Sequence, residues 1–282
     1  MTSLGAVAKE VTGSLGPQAA FVTAAKNLSL IRRLVRREVE ARYRGSALGM
    51  AWAFLVPIFL LAVYTFVFSV VFSVRWGSST EGSRAEFALL LYCGLLVYNI
   101  FNECVSSAPS LMLAHSTYIK KVIFPVEVLP WVSLLSSCIN AMIGFLILML
   151  GYFAVVGVPP LTAALVPIVC LPVLFVTLGV TLFFSSLGVF VRDAQQFIGI
   201  ITMVILFMTP IFYPISAIPA QYQWIATFNP LAVAIEQFRG ALFKAELPNA
   251  GALAMNLAFS TGILWLGNAW FMKTKKGFAD VI

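Results

Sequence analysis

The sequence predicts an all-α polytopic membrane protein with six transmembrane helices. Hydrophobic residues make up 61% of the chain and charged residues only 10%, whereas soluble domains contain about 25% charged residues. Between Glu127 and Arg192, 64 consecutive residues carry no charge. A bilayer span needs about 20 apolar residues, so this stretch holds two spans. Gly157, Pro159 and Pro160 lie near its middle and supply the turn between them.

Four further charge-free stretches provide the other spans. They cover residues 45–74, 87–102, 194–235 and 247–272. We expect the six spans at 50–74, 87–108, 128–156, 163–190, 195–213 and 251–272. The charges that the chain retains should then mark the segments that face water.

Lysine and arginine are distributed unevenly over the two sides that these spans define. Segments 1–49, 109–127, 191–194 and 273–282, which would share one side, hold 14 of the 18. The positive-inside rule places that side in the cytoplasm, so both termini are expected there. The formal net charge of +7 is therefore a topology signal and does not indicate nucleic-acid binding.

Residues 27–49 form a predicted amphipathic helix after a cytoplasmic tail of residues 1–26. Its apolar face carries Leu28, Ile31, Val35, Val39 and Tyr43, at helical spacing. Its basic face carries Arg33, Arg36, Arg37, Glu40 and Arg44. Such a helix is expected in the cytoplasmic headgroup plane. Glu38 and Arg42 fall within the apolar arc, four residues apart, where they either extend to the headgroups or contact a partner protein.

Residues 214–250 do not fit a simple loop. The run from Trp224 to Ile235 is apolar but too short to span a membrane, and Asn229 and Pro230 interrupt it. A second short amphipathic piece follows and carries Glu236 and Arg239. Two interpretations stay open here: a re-entrant hairpin on the outer side, or an outer loop lying flat on the membrane.

The chain lacks the residues that membrane chemistry would need. It has no Walker loop, one histidine (His115), and no acidic pair spaced to hold magnesium and a diphosphate. We therefore expect a protein that is not an enzyme and holds no metal. Glu103 is the one ionisable residue clearly within a predicted span. It is either functional or, near the end of its helix, in reach of headgroup water.

Aromatic residues are abundant instead, with 24 Phe, 8 Tyr and 6 Trp. Tyr64, Phe68 and Phe72 lie four residues apart in the first span and share a helix face. Phe207, Phe212 and Tyr213 lie near the outer end of the fifth. Such residues are ordinarily packing residues or interfacial anchors. The functional alternative is a surface on which sugar rings stack.

Several short motifs occur in a fixed order along the chain. They are Arg42-Tyr43-Arg44-Gly45-Ser46, Ile119-Lys120-Lys121 with Phe124-Pro125, Val191-Arg192-Asp193, Thr209-Pro210-Ile211-Phe212-Tyr213-Pro214, Phe228-Asn229-Pro230-Leu231, and Lys276-Gly277-Phe278-Ala279-Asp280. Over residues 27–282 the chain resembles the membrane subunits of type-2 ABC exporters of polysaccharides. Each motif is weak alone, but the order and the topology agree.

The resemblance implies a half-transporter that pairs as a homodimer and binds two copies of a separate ATPase subunit, which would hold ATP and Mg²⁺. It implies export of a lipid-linked O-antigen, capsule or teichoic-type polymer across the bacterial inner membrane. Helix 27–49 would lie on the ATPase, and 109–121 would hold a coupling helix. The ATPase interface would comprise Arg33, Arg36, Arg37, Glu38, Arg42, Arg44, His115, Tyr118 and Lys120. Paired re-entrant helices would contain Asn229, Pro230, Glu236 and Arg239.

Two rival functions remain. A type-2 ABC exporter of lipids or small hydrophobic drugs would share the topology, but the aromatic residues and the motifs favour a polymer. A membrane-embedded transferase would need clustered acidic or histidine residues, which the sequence lacks. The tail from Lys276 to Asp280 favours the O-antigen branch of the polysaccharide exporters.

Overall fold

The computed structural model describes residues 17–44, 48–64, 66–67, 84–117 and 124–281, and all regular structure within these ranges is helical. We label the α-helices in chain order: α1 Pro17–Lys26, α2 Leu28–Tyr43, α3 Trp52–Tyr64, α4 Arg84–Ala114, α5 Val128–Val155, α6 Val166–Phe190, α7 Ala194–Met208, α8 Gln223–Phe228, α9 Pro230–Phe243, α10 Ala250–Thr274 and α11 Phe278–Val281. Short 3₁₀ turns precede α3, α6 and α8 and follow α10.

Four helical segments are long and apolar enough to cross a membrane. They are Ala85–Ala114, Val128–Val155, Leu161–Phe190 and Ala250–Gly277. Helices α3 and α7 are apolar but shorter. The class of a polytopic, all-helical membrane protein is thus confirmed. The predicted first span runs on to residue 74, and most of that continuation lies outside the described residues.

The fifth predicted span is shorter than expected, because α7 ends at Met208 and not at residue 213. Thr209 adopts an extended conformation with ψ of 133°. The helical region is sterically disfavoured for a residue that precedes proline, and Pro210 follows Thr209. Gly157 also behaves as a turn residue, with φ of +112°, so the predicted turn between the third and fourth spans is confirmed.

Helix α4 runs through the centre of the bundle and contacts α5, α6, α7 and α9. Its residues Leu91, Cys93, Val105 and Met112 are fully buried. The sequence predicted an end near residue 108, but the helix continues through Pro109 to Ala114. At Pro109 the backbone lies against Gly188 of α6, where a Cβ would overlap the Pro109 carbonyl.

Helices α6 and α10 also cross at glycines. A Cβ on Gly179 would lie 2.7 Å from the carbonyl oxygen of Ile263, and one on Gly267 would overlap the carbonyl of Gly179. Small residues at crossings let membrane helices approach closely, which strengthens the van der Waals contacts that hold them together. These glycines therefore set the position of α10 in the bundle.

The N-terminal part contains a helix that the sequence did not reveal. Helix α1 occupies the end of the predicted tail, and Phe21 lies with its ring centroid 5.4 Å from those of Trp131 and Phe175. Helix α2 follows and packs on the start of α5. Its Ile31 and Val35 are buried there, whereas Leu28, from the same predicted apolar face, is exposed.

We expect Gly267→Ala to destabilise the protein, because the added methyl group overlaps the backbone of α6. Overpacking of this kind costs about 1–3 kcal/mol. Gly262→Ala on the same helix is the matched control, because nothing lies within 4 Å of a Cβ there. The apparent melting temperature of the detergent-purified protein should fall for Gly267→Ala only. Equal melting temperatures would contradict the close crossing.

Candidate functional site

The structure brings two predicted aromatic groups together. The Tyr64 ring, at the end of α3, lies 6.4 Å from the Phe212 ring, and Phe212 lies 6.1 Å from Phe207. The Tyr213 hydroxyl donates a hydrogen bond of 2.7 Å to the Phe207 carbonyl. We call these four residues the aromatic cluster. Phe68 and Phe72, the remaining members of the predicted aromatic surface, lie outside the described residues.

The turn after α7 holds the aromatic cluster in place. Ile211 is completely buried, and it anchors the turn between Thr209 and Phe212. The Phe207 side chain on the preceding helix turn remains exposed. The Thr209 hydroxyl donates to Ile205 O at 2.7 Å and accepts from the Asn229 amide at 2.9 Å. The cluster thus has a fixed backbone beneath it and rings that can still contact a ligand.

Arg239 of α9 fixes the same turn from the other side. Only 2% of the residue is exposed. Its guanidinium donates to Pro210 O at 2.8 Å, to Ile211 O at 2.8 Å and to Leu90 O of α4 at 2.9 Å. The expectation that the charges of this chain face water is wrong for Arg239. Two buried backbone carbonyls and one that is partly buried replace water as its hydrogen-bond acceptors.

The guanidinium reaches α4 only because Gly94 has no side chain. A Cβ on Gly94 would lie 2.9 Å from Arg239 Nη2 and 3.2 Å from the Ile211 side chain. The sequence shows both residues but cannot show that they meet, since 145 positions of chain separate Gly94 from Arg239. No local sequence pattern marks this contact.

Helix α9 begins at the Asn229-Pro230 pair that interrupts the apolar run. The Asn229 side-chain oxygen accepts from Leu231 N at 3.0 Å and Ala232 N at 3.4 Å, and Pro230 follows at the first helical position, as is typical of a helix start. Helix α9 then packs against α4, α6 and α10, with Ile235 and Leu242 completely buried. Glu236 is only partly buried. The preceding helix α8 exposes Trp224 and Phe228.

Glu103, the predicted intramembrane charge, pairs with Arg42 of α2. The Asn140 amide of α5 donates to both carboxylate oxygens, at 3.0 and 3.4 Å. Because α4 continues to Ala114, Glu103 lies about three turns from the helix end. It is therefore deeper in the helix than the sequence indicated, and its carboxylate is bound by two neighbouring helices.

The remaining predicted interface residues of α2 divide into an exposed and a half-buried group. Arg33, Arg36, Arg37 and Arg44 are exposed, and the Arg36 guanidinium donates to Glu40 at 2.8 Å. Glu38 is half-buried. Its burial raises the pKa of the carboxyl, and the nearby positive charge of Arg42 opposes that shift.

Glu38, Arg37 and His115 line one cavity of about 620 Å³ between α2, the end of α4 and the start of α5. His115 Nδ1 lies 2.9 Å from Leu111 O. The structure thus places His115 beside α2, the helix on which most of the predicted ATPase surface lies. Tyr118 and Lys120, which belong to the same predicted surface, lie outside the described residues.

Comparison with known proteins identifies the family. Residues 29–243, from α2 to the end of α9, match the model for the ABC-2 type transporter membrane family. The chain belongs to this family. The resemblance that the motifs indicated is confirmed, and all of the site described above lies within the matched region. Chains of this family are the transmembrane permease components of ABC transporters.

Individual relatives cover nearly the whole chain. The O-antigen export system permease protein RfbA of Myxococcus xanthus is 28% identical over 90% of this chain and 95% of its own length. The protein of the same name from Klebsiella pneumoniae is 27% identical over 88% and 93%. The polysialic acid transport protein KpsM of Escherichia coli is 21% identical over 86% and 92%.

We expect Arg239→Met to prevent stable folding of this permease. The substitution leaves the carbonyls of Pro210 and Ile211 without their donor, and each unsatisfied buried group costs about 1–3 kcal/mol. Arg239→Lys should also fail, because one ammonium cannot reproduce the fork of a guanidinium. Lys244→Met is the control, since Lys244 is exposed at the end of the same helix. The measurement is the yield of monodisperse protein by fluorescence-detected size-exclusion chromatography.

Proposed function

We propose that this permease exports a lipid-linked cell-surface polysaccharide, such as O-antigen, across the bacterial inner membrane. The observation that carries the proposal is the near full-length similarity to relatives named for O-antigen export, with 90% of this chain and 95% of the Myxococcus xanthus protein aligned. The relative named for polysialic acid transport supports a carbohydrate polymer more broadly.

Six spans with both termini in the cytoplasm best explain the helices and the charges. The four long helices would be completed by α3 and its continuation and by α7. The transmembrane domain would cover residues 50–272, with 1–26 as a tail, 27–49 as the interface helix and 273–282 as a cytoplasmic tail. Segment 214–250 would be re-entrant. The burial of α9 supports this, because backbone within the membrane must be enclosed by protein.

The permease would act as a homodimer with two copies of an ATPase subunit. A six-helix chain is too small to enclose a channel for a sugar polymer by itself. Helix α3 exposes Phe59, and α7 exposes Phe197 and Met203. These apolar faces are suited to the second copy and to the conduit between the copies. ATP and Mg²⁺ would be bound by the ATPase, whose contact surface would be the basic face of α2 and the region of His115.

The aromatic cluster would hold the polymer loosely. Sugar rings present apolar C–H faces, which pack on aromatic side chains, while their hydroxyl groups remain hydrated. Conduction requires contacts that are weak enough to release the chain as it moves. An exporter of lipids or small hydrophobic drugs is the alternative, and the names of the relatives favour the polymer.

The experiment that tests this function combines gene deletion with purification. Deletion of the chain should cause one lipid-linked glycan to accumulate inside the cell and disappear from its surface. The purified chain should carry an ATPase subunit, and proteoliposomes of the complex should translocate that glycan only with ATP. Translocation without nucleotide, or accumulation of a lipid without glycan, would contradict the proposal.

We expect the triple variant Tyr64→Ala, Phe207→Ala, Phe212→Ala to reduce export several-fold while the ATPase still co-purifies. The physical reason is the loss of the stacking surface without change to the basic face of α2. A second triple variant, Phe153→Ala, Phe183→Ala, Phe259→Ala, removes as many rings from α5, α6 and α10 and serves as the control. Surface glycan, measured on intact cells, should fall in the first variant only. Unchanged surface glycan in both would remove the aromatic cluster from the polymer path.

A further inference from the structure

One polar contact joins α2 to two long helices of the bundle. Arg42 lies in the last turn of α2, and its guanidinium pairs with the Glu103 carboxylate of α4. The Asn140 amide of α5 donates to that same carboxylate at 3.0 and 3.4 Å. We call these three residues the α2–α4–α5 link.

The link differs in kind from the apolar contacts that α2 makes with α5. Ile31 and Val35 pack on Val128 and Val132, and such apolar contacts have no directional preference. An ion pair supported by a hydrogen bond requires a defined geometry. The end of α2 is therefore held to one position along α4 by a contact of defined geometry, in addition to the apolar packing of its middle on α5.

The Glu103 carboxylate depends on Arg42 and Asn140 for its polar partners. The side chains of Arg42 and Glu103 are 34% and 32% exposed, so the pair is neither fully solvated nor fully enclosed. Glu103 is the one charged residue between Glu86 and the end of α4 at Ala114. A carboxylate at such a position needs a partner, so separation of α2 from α4 by a few ångströms is opposed.

The link also borders a cavity that reaches α3. Glu103 and Asn140 line a space of about 220 Å³ together with Pro57 and Leu60. Helix α3 ends at Tyr64 of the aromatic cluster. The cavity thus lies between the link and the helix that carries part of the proposed polymer path, and that helix also packs directly on α4 and α5.

We propose that Arg42 and Glu103 are positioning residues that transmit movement of α2 to α4, α5 and the adjacent α3. The proposal rests on the proposed function, because it assumes that the ATPase subunit moves α2. Arg42 then acts within the permease, on Glu103, in addition to lying on a helix that faces the ATPase. Rupture of the link should leave the assembly intact but lower the amount of glycan exported for each ATP hydrolysed.

The test uses Arg42→Gln, Glu103→Gln and the exchanged double variant Arg42→Glu with Glu103→Arg. The complete complex with its ATPase is reconstituted in proteoliposomes, and glycan export and ATP hydrolysis are measured in the same sample. Glu103→Gln should lower the export-to-hydrolysis ratio several-fold with normal co-purification of the ATPase, and Arg42→Gln should lower the ratio by a similar factor for each complex purified. The exchanged variant should recover most of the ratio, because Asn140 can also accept a hydrogen bond from a guanidinium.

A matched control comes from the same helix. Arg32→Gln removes one exposed positive charge of α2 from a position that is neither on its basic face nor in the predicted ATPase interface. This variant should keep the normal ratio. Any loss specific to the Arg42 and Glu103 variants is then due to the position of the link and not to loss of charge on α2.

Three outcomes would overturn the proposal. A normal export-to-hydrolysis ratio in Glu103→Gln would show that the pair does not transmit movement. Reduced protein in the membrane for both single variants and for the exchanged variant would assign the link to folding alone. A ratio that falls equally in Arg32→Gln would assign the effect to the loss of positive charge on α2. Failure of the proposed function looks different, since the unmodified complex itself would then export no glycan with ATP.

Discussion

A polar group that is buried away from water must find its hydrogen-bond partners within the protein itself. Arg239 shows most clearly how this constraint organises the bundle. One guanidinium satisfies carbonyls in the turn after α7 and a carbonyl of α4. This turn positions Phe212. A hydrogen bond between Thr209 and Asn229 also attaches the turn to the start of α9. The fold around the aromatic cluster therefore depends on one buried cation.

Close backbone packing supplies the second constraint. Lipid hydrocarbon surrounds the bundle, so apolar side chains gain little free energy by burial against one another. The helices are held together instead by van der Waals contacts between closely packed atoms. The crossings at Gly179 and Gly267 and at Gly188 and Pro109 bring backbones together. They position α6 and α10 around α4, whereas α3 and α7 retain exposed apolar faces on which assembly with a second copy would depend.

Much of this architecture could be predicted from sequence. Long uncharged runs mark the four long helices within a few residues, because the length of a span follows from bilayer thickness. Asn229 and Pro230 mark the start of α9, because an N-cap and a following proline act locally. Helix α1 was missed, because nothing local distinguishes Phe21 from a residue of an unstructured tail. It is the contact with Trp131 and Phe175 that defines its place.

The sequence by itself determined the class and the family, because these depend on composition, on hydrophobic length and on short motifs in order. Only the tertiary structure decided the partners of the charged residues. Arg42 meets Glu103, and Arg239 meets three carbonyls, across 61 and up to 149 positions of sequence. Pairing over such distances is set by how the helices cross, and that depends on the packing of the whole bundle and not on any local pattern.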